Sequence, residues 1–183
     1  PTAEALADQY QLHLISIAGF AGKPAIAGDL LPTVKQQLLH YIEQNNLQQP
    51  AVVGHSLGAF MAFNLASSAP DKIGTVIAVD GLPYLAPVFS RDSNTSVAQM
   101  LPQAKMMQQY YQRMSPAQLA ESTEQGMAIQ VSQPEHAAVI SQMAGASDPA
   151  TVGAVISELL TTDLRSQVHK IQQPVLLLGA GGA

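Results

Sequence analysis

The sequence predicts an α/β fold: a mostly parallel sheet with helices on both faces, interrupted by a long helical insertion. Three observations carry this expectation. Short apolar runs at 11–17, 51–53, 75–79 and 175–178 are bounded by turn residues, and they lack the alternation of half-exposed antiparallel strands. Helical patterns alternate with the first three of them, which is the order of βαβ units. Between Leu82 and Lys170 no strand pattern occurs at all.

Taken in order, Thr2 to Gln9 reads as the tail of a helix. Gln11 to Ile17 reads as a strand, closed by the turn-prone Gly19-Phe20-Ala21-Gly22-Lys23-Pro24. From Asp29 to about Asn45, Leu31, Val34, Leu38 and Ile42 recur every three or four residues and form one buried helical stripe. Ala51 to Val53 is short and apolar, as a buried strand is, and Gly58 to Ala66 reads as the helix after it. Thr75 to Val79 is the next strand and ends at Asp80-Gly81. In the insertion, helices are expected at Ser96–Met114, Pro116–Ser132, Pro134–Met143, Pro149–Leu160 and Thr162–Ile171. Prolines 116, 134 and 149 stand where proline is tolerated, at helix starts. Val175 to Leu178 then returns to the strand pattern. The organisation expected is a sheet core over 1–81 and 171–183 and a helical cap over 82–170.

Of 183 residues, 47% are hydrophobic and 11% charged, with a net charge of −5. The charged share is well under the roughly 25% of ordinary globular domains. A negative, charge-poor chain is a poor partner for nucleic acid, and no apolar run approaches the ~20 residues of a membrane span. There is no cysteine, so a thiol nucleophile and thiolate metal sites are excluded. No histidine pair has metal-ligand spacing of the H-E-x-x-H kind, and no metal or cofactor is expected. Gly179-Ala180-Gly181-Gly182 lacks the helix and full spacing of a dinucleotide loop.

The chemistry concentrates at Gly54-His55-Ser56-Leu57-Gly58, a G-x-S-x-G pentapeptide with a strand before it and a helix after it. That context places Ser56 on a sharp turn at the end of the sheet, with its hydroxyl presented to a substrate. Backbone passes close by, so the positions two before and two after are glycine. The helix that follows aims unpaired N–H groups and its positive dipole end at the reacting oxygen. The Leu57 N–H is the candidate oxyanion donor.

At these residues the chain resembles the α/β-hydrolase superfamily, in its capped branch of esterases, lipases and related serine hydrolases. The GHSLG elbow, the Val-Asp-Gly strand end at 79–81, the helical insertion and the returning PVLLLG strand fall in family order. The resemblance implies an eight-stranded, mostly parallel sheet, Ser56 as nucleophile, and an acid and a histidine after it in the chain. It implies an ester, thioester or similar small acyl substrate and an acyl-enzyme on Ser56. It also implies that the His-Gly oxyanion loop lies upstream of Pro1, and that the acid and histidine lie beyond Ala183, since Gly179 to Ala183 holds no carboxylate. The 183 residues are therefore expected to be an internal piece, inactive alone.

Two readings of Asp80 stand side by side: a minority of the family places its acid there, and a strand-end Asp otherwise caps the following turn. His13, His40, His55, His136 and His169 include no evident base. Six of the seven methionines lie in the insertion, which the resemblance places over Ser56 as a lid, with Phe20 and Tyr84 facing the substrate pocket. The reading from another class is a non-catalytic ligand-binding protein that keeps the scaffold and has lost its triad.

Overall fold

The computed structural model describes residues 2–127, 131 and 133–179. The helices are α1 (Thr2–Leu6), α2 (Leu30–Gln44), α3 (Leu57–Ser68), α4 (Ala86–Ser90), α5 (Val97–Gln112), α6 (Pro116–Met127), α7 (Pro134–Gly145) and α8 (Pro149–Thr161). The strands are β1 (Ala51–His55), β2 (Thr75–Val79) and β3 (Val175–Leu178). The strands form one parallel sheet in the order β1-β2-β3, with Ala51 opposite Thr75 and Val76 opposite Val175. Among the described residues of 82–170 there is no strand. No helix among the described residues is long and apolar enough to cross a membrane.

The contacts divide the chain into two compact units, and the division is not the one expected from chain order. One comprises 27–115 and 149–183; the other comprises 1–26 and 116–148. Of the helices between 82 and 170, α4, α5 and α8 belong to the unit that contains the sheet.

In the sheet unit, α3 is mostly apolar and is buried from Ala59 to Ser67, with Asn64 and Ser67 included. It packs on β1 and β2, and Val76 and Ala78 of β2 lose all contact with solvent. β1 and β3 are not the buried strands the sequence suggests. Val53 is 63% exposed, and all four residues of β3 lie between 41% and 61%. β2 is hydrogen-bonded along both edges, whereas each outer strand is paired along one. Within this unit α5 packs on α8, and Tyr84, Ala86, Met100, Ala104 and Leu160 form a buried cluster. α5 starts with the capping box its sequence spells: Ser96 Oγ accepts from Gln99 N–H, and Gln99 Oε1 accepts from Ser96 N–H.

The start of α2 is held from a distance. Asp29 sits at the N-cap but its side chain makes no capping bond. The two oxygens of Glu158, on α8, accept instead from Leu30 N–H at 2.8 Å and Leu31 N–H at 2.7 Å.

Two expected elements are absent. Residues 162–171 are not a helix. The Asp163 carboxylate accepts from Arg165 N–H at 2.9 Å, a local turn that competes with helix continuation, and only Val168–Lys170 winds into a 3₁₀ turn. Residues 11–17 carry no strand either, because propensity makes a strand only where a neighbour supplies the ladder. The predicted end of α6 at Ser132 falls outside the described residues.

In the other unit α6 packs on α7, and Ser141 Oγ donates to Ala120 O across the pair at 3.0 Å. The turn at 19–22 grips the end of α7. Gly22 N–H donates to Ala146 O at 2.7 Å, Asp148 N–H to Gly19 O at 2.8 Å, and Ala21 N–H to Ser147 Oγ at 2.9 Å. Phe20 is half-buried in this turn.

Glu158→Ala leaves two helix-start donors without their carboxylate. It is expected to lower the unfolding free energy by about 2 kcal/mol, read by urea denaturation, with an unchanged midpoint refuting the clamp. Hydrogen bonds from Arg165 hold the Asp163 carboxyl below its ordinary value. Because the folded value is the lower one, this stabilisation is complete above the ordinary value near 4 and lost as pH falls through the folded one. Asp163→Asn is therefore expected to flatten the loss of stability below about pH 4, as measured by melting temperature against pH.

Candidate active site

β1 brings His55 opposite Val79, and the chain reverses into α3 within one residue. Ser56 takes φ 51° and ψ −109°, a left-handed backbone that costs a non-glycine residue on the order of 1–3 kcal/mol. Two bonds impose it. Ser56 N–H donates to Val79 O at 3.0 Å, extending the ladder, and Ser56 O accepts from Phe60 N–H at 3.1 Å, starting the helix. The hydroxyl makes no capping bond and the residue is exposed. A serine at an N-cap ordinarily bonds back to its helix; here the side chain is left for something else.

Leu57 opens α3, so its N–H has no acceptor within the helix and none among the described residues. It stands at the positive end of a twelve-residue helix. A carbonyl oxygen gaining negative charge beside Ser56 would meet that donor.

The glycines of the elbow are not equivalent. A Cβ on Gly54 would lie 2.1 Å from both C and O of Gly58, a backbone clash with no relief, whereas a Cβ on Gly58 would meet nothing within 4 Å. Only the first of the two is required by close packing, contrary to the symmetric expectation. Gly81, which the sequence offers only as a strand end, is required as well. A Cβ there would lie 2.4 Å from Ala59 Cβ and 2.8 Å from Ser56 O, so the backbone after β2 rests against the elbow. A glycine two residues past the end of the strand that pairs with β1 is the sequence signal for this contact.

Asp80 follows the end of β2 as Ser56 follows the end of β1, each one residue past the His55–Val79 pair. It too has positive φ, 45°, and its N–H donates to Leu178 O at 2.7 Å. Its carboxylate is exposed and makes no hydrogen bond or ion pair among the described residues, so it does not cap the turn that follows. Tyr84 is not a pocket-wall residue in this unit: it is 2% exposed within the core cluster. Phe20 lies in the other unit. His40, His55, His136 and His169 are exposed and His13 is half-buried, and no described residue hydrogen-bonds the Ser56 hydroxyl. No group of His, Asp and Glu among the described residues is arranged to hold a metal ion.

The glycine asymmetry has a direct test. Gly54→Ala is expected to abolish soluble folded protein or cost several kcal/mol, since backbone must move. Gly58→Ala is expected to fold normally and to gain up to about 1 kcal/mol from helix propensity. Circular dichroism melts of both variants read the outcome; equal loss in both would show that the elbow needs both glycines for packing.

Comparison with known proteins places the fold in a family. A pimeloyl-[acyl-carrier protein] methyl ester esterase of Nitrosomonas europaea is 26% identical over 180 residues, covering 96% of this chain and 68% of that protein. The enzyme of the same name from Aeromonas hydrophila is 28% identical over 136 residues, covering 73% of this chain and 48% of that protein. The chain therefore spans about half to two thirds of the length of these relatives. Among solved structures, a thermophilic esterase from Thermogutta terrifontis superimposes with TM-score 0.76 at 19% identity, over 96% of this chain and 63% of that one. The enol-lactonase from Burkholderia xenovorans gives TM-score 0.66 at 17% identity, over 89% and 59%. The family model described as alpha/beta hydrolase fold matches residues 2–181. With the parallel sheet and the strand–Ser56–helix turn, that match means that the chain belongs to the α/β-hydrolase family.

Proposed function

We propose that the intact protein is a serine hydrolase that cleaves an ester, thioester or similar small acyl substrate through an acyl-enzyme on Ser56. The observation that carries this reading is the backbone of Ser56, held at positive φ between a ladder bond and a helix bond with its hydroxyl uncommitted. The methyl ester esterase activity named for the two relatives supports the substrate class.

In this mechanism Ser56 Oγ attacks the carbonyl carbon while a histidine removes its proton. The tetrahedral oxyanion is met by the Leu57 N–H, a type of contact worth about 10²–10³ in rate. The same histidine returns the proton to the leaving alcohol, and water then releases the acyl group. Asp80, one residue past β2 as Ser56 is one residue past β1, is a candidate acid. Gly54, His55 and Gly58 complete the elbow.

The test is covalent labelling of the intact protein with a fluorophosphonate and location of the adduct by peptide mass. An adduct on Ser56, absent in Ser56→Ala, is expected, together with a fall in kcat/KM of at least about 10³ for that variant on short-chain esters. Folded protein that takes no label would instead favour a ligand-binding role on a hydrolase scaffold.

A further inference from the structure

We propose that Arg165 and Asp163 are positioning residues for Ser56, acting through the segment 80–84 that backs the elbow. The proposal rests on the reading of Ser56 as nucleophile. Arg165 uses its whole fork. Nε donates to Asp163 at 3.0 and 3.1 Å and Nη2 donates to the same carboxylate at 2.7 Å. Nη1 donates to Ser93 O at 2.6 Å and Nη2 also to Thr95 O at 3.1 Å. Its Cζ lies 4.6 Å above the centroid of the Tyr84 ring, and Leu164 N–H between the pair donates to Pro83 O at 3.0 Å. Leu164 and Arg165 thus grip residues 83, 84, 93 and 95, and Asp163 holds the guanidinium in place.

Residues 83 and 84 are one end of a short strap. Its other end is pinned to the sheet by Asp80 N–H on Leu178 O. Between the two anchors lies Gly81, whose backbone packs against Ser56 O and Ala59 Cβ. The strap is the surface that stops the elbow from relaxing. Ser56 holds an unfavourable backbone only while its surroundings over-determine it, and releasing the far anchor lets residues 81–83 withdraw. Oγ and the Leu57 N–H then lose their mutual aim without any group touching substrate being altered.

The choice of arginine follows from the geometry. One planar cation must stack on a ring, pair with a carboxylate through two edges and satisfy two carbonyls. A lysine ammonium keeps the charge over the ring but not the fork. Tyr84 adds a reason for the cover: its ring is buried and its hydroxyl has no partner among the described residues. Packing and the cation therefore hold it in place, not hydrogen bonds of its own.

The experiment uses the intact protein, with fluorophosphonate titration to count competent serines, so that kcat is expressed per labelled site and loss of folded protein cancels. Arg165→Ala is expected to lower kcat per site about tenfold, within the ~10²-fold that a misplacement of about 1 Å can cost, with KM changed less than about twofold. The labelling rate constant should fall in parallel. Arg165→Lys should recover part of the loss, and Arg165→Ala with Asp163→Ala should be no worse than Arg165→Ala alone, because the pair acts as a unit. If the alanine variant does not fold, the lysine and glutamine variants are read in the same way. Wild-type kcat per labelled site in variants with lowered melting temperature would reduce the pair to a stability feature and overturn the proposal. Absence of label in the wild type is a different result: it removes Ser56 as nucleophile, and the positioning role with it.

Discussion

One L-residue held in a left-handed backbone organises this molecule. Ser56 is at once the last rung of the β1–β2 ladder and the first acceptor of α3. A chain making both bonds has no room to turn gradually. Close approach of residues 54 and 58 follows from that sharpness, as does the need for a bare backbone at 81. The uncommitted hydroxyl and the free Leu57 N–H are consequences of the same turn: a serine that bonded back to its helix would require an ordinary N-cap backbone.

That turn needs a rigid frame, and β2 supplies it. Paired on both edges and covered by α3, β2 holds the fully buried core of the sheet. Both of its neighbours take their register from it, and the residue after its end, Asp80, takes its backbone bond from β3. β1 and β3 contribute hydrogen bonds more than burial. The mostly apolar α3, with Phe60, Met61, Phe63 and Leu65 all buried, fills the space that a charged helix could not.

Much of this was legible in the residues. The elbow was readable because its chemistry is local: a strand, a glycine, a serine and a helix follow one another within the reach of a few backbone bonds. α2 was readable for the same reason, from the stripe of Leu31, Val34, Leu38 and Ile42. What escaped was non-local. The strand expected at 11–17 depended on a partner that propensity does not specify, and the helix expected at 162–171 lost to an Asp163–Arg165 turn whose other bonds go to residues about seventy positions away. The burial expected of β1 and β3 depended on coverage by other elements. Tyr84 was read from its place at the start of the insertion, but its ring was claimed by α5, α8 and a cation. Gly58 looked as necessary as Gly54, because a motif gives spacing without giving the direction in which each missing side chain would have pointed.

The clamp of Glu158 on α2 has a consequence for how the chain is made. The donors it satisfies are synthesised 127 and 128 residues before the carboxylate arrives. At ordinary ribosomal speeds that interval is on the order of 10 s. Throughout it, α2 carries a hydrophobic stripe and a first turn whose two donors lack the carboxylate that holds them in the finished fold. Completion of the amino-terminal half therefore waits on the carboxyl-terminal half. Vectorial synthesis gives this unit no native stopping point before α8 emerges, and its first helix is a temporary ward of whatever shields apolar surface at the tunnel exit.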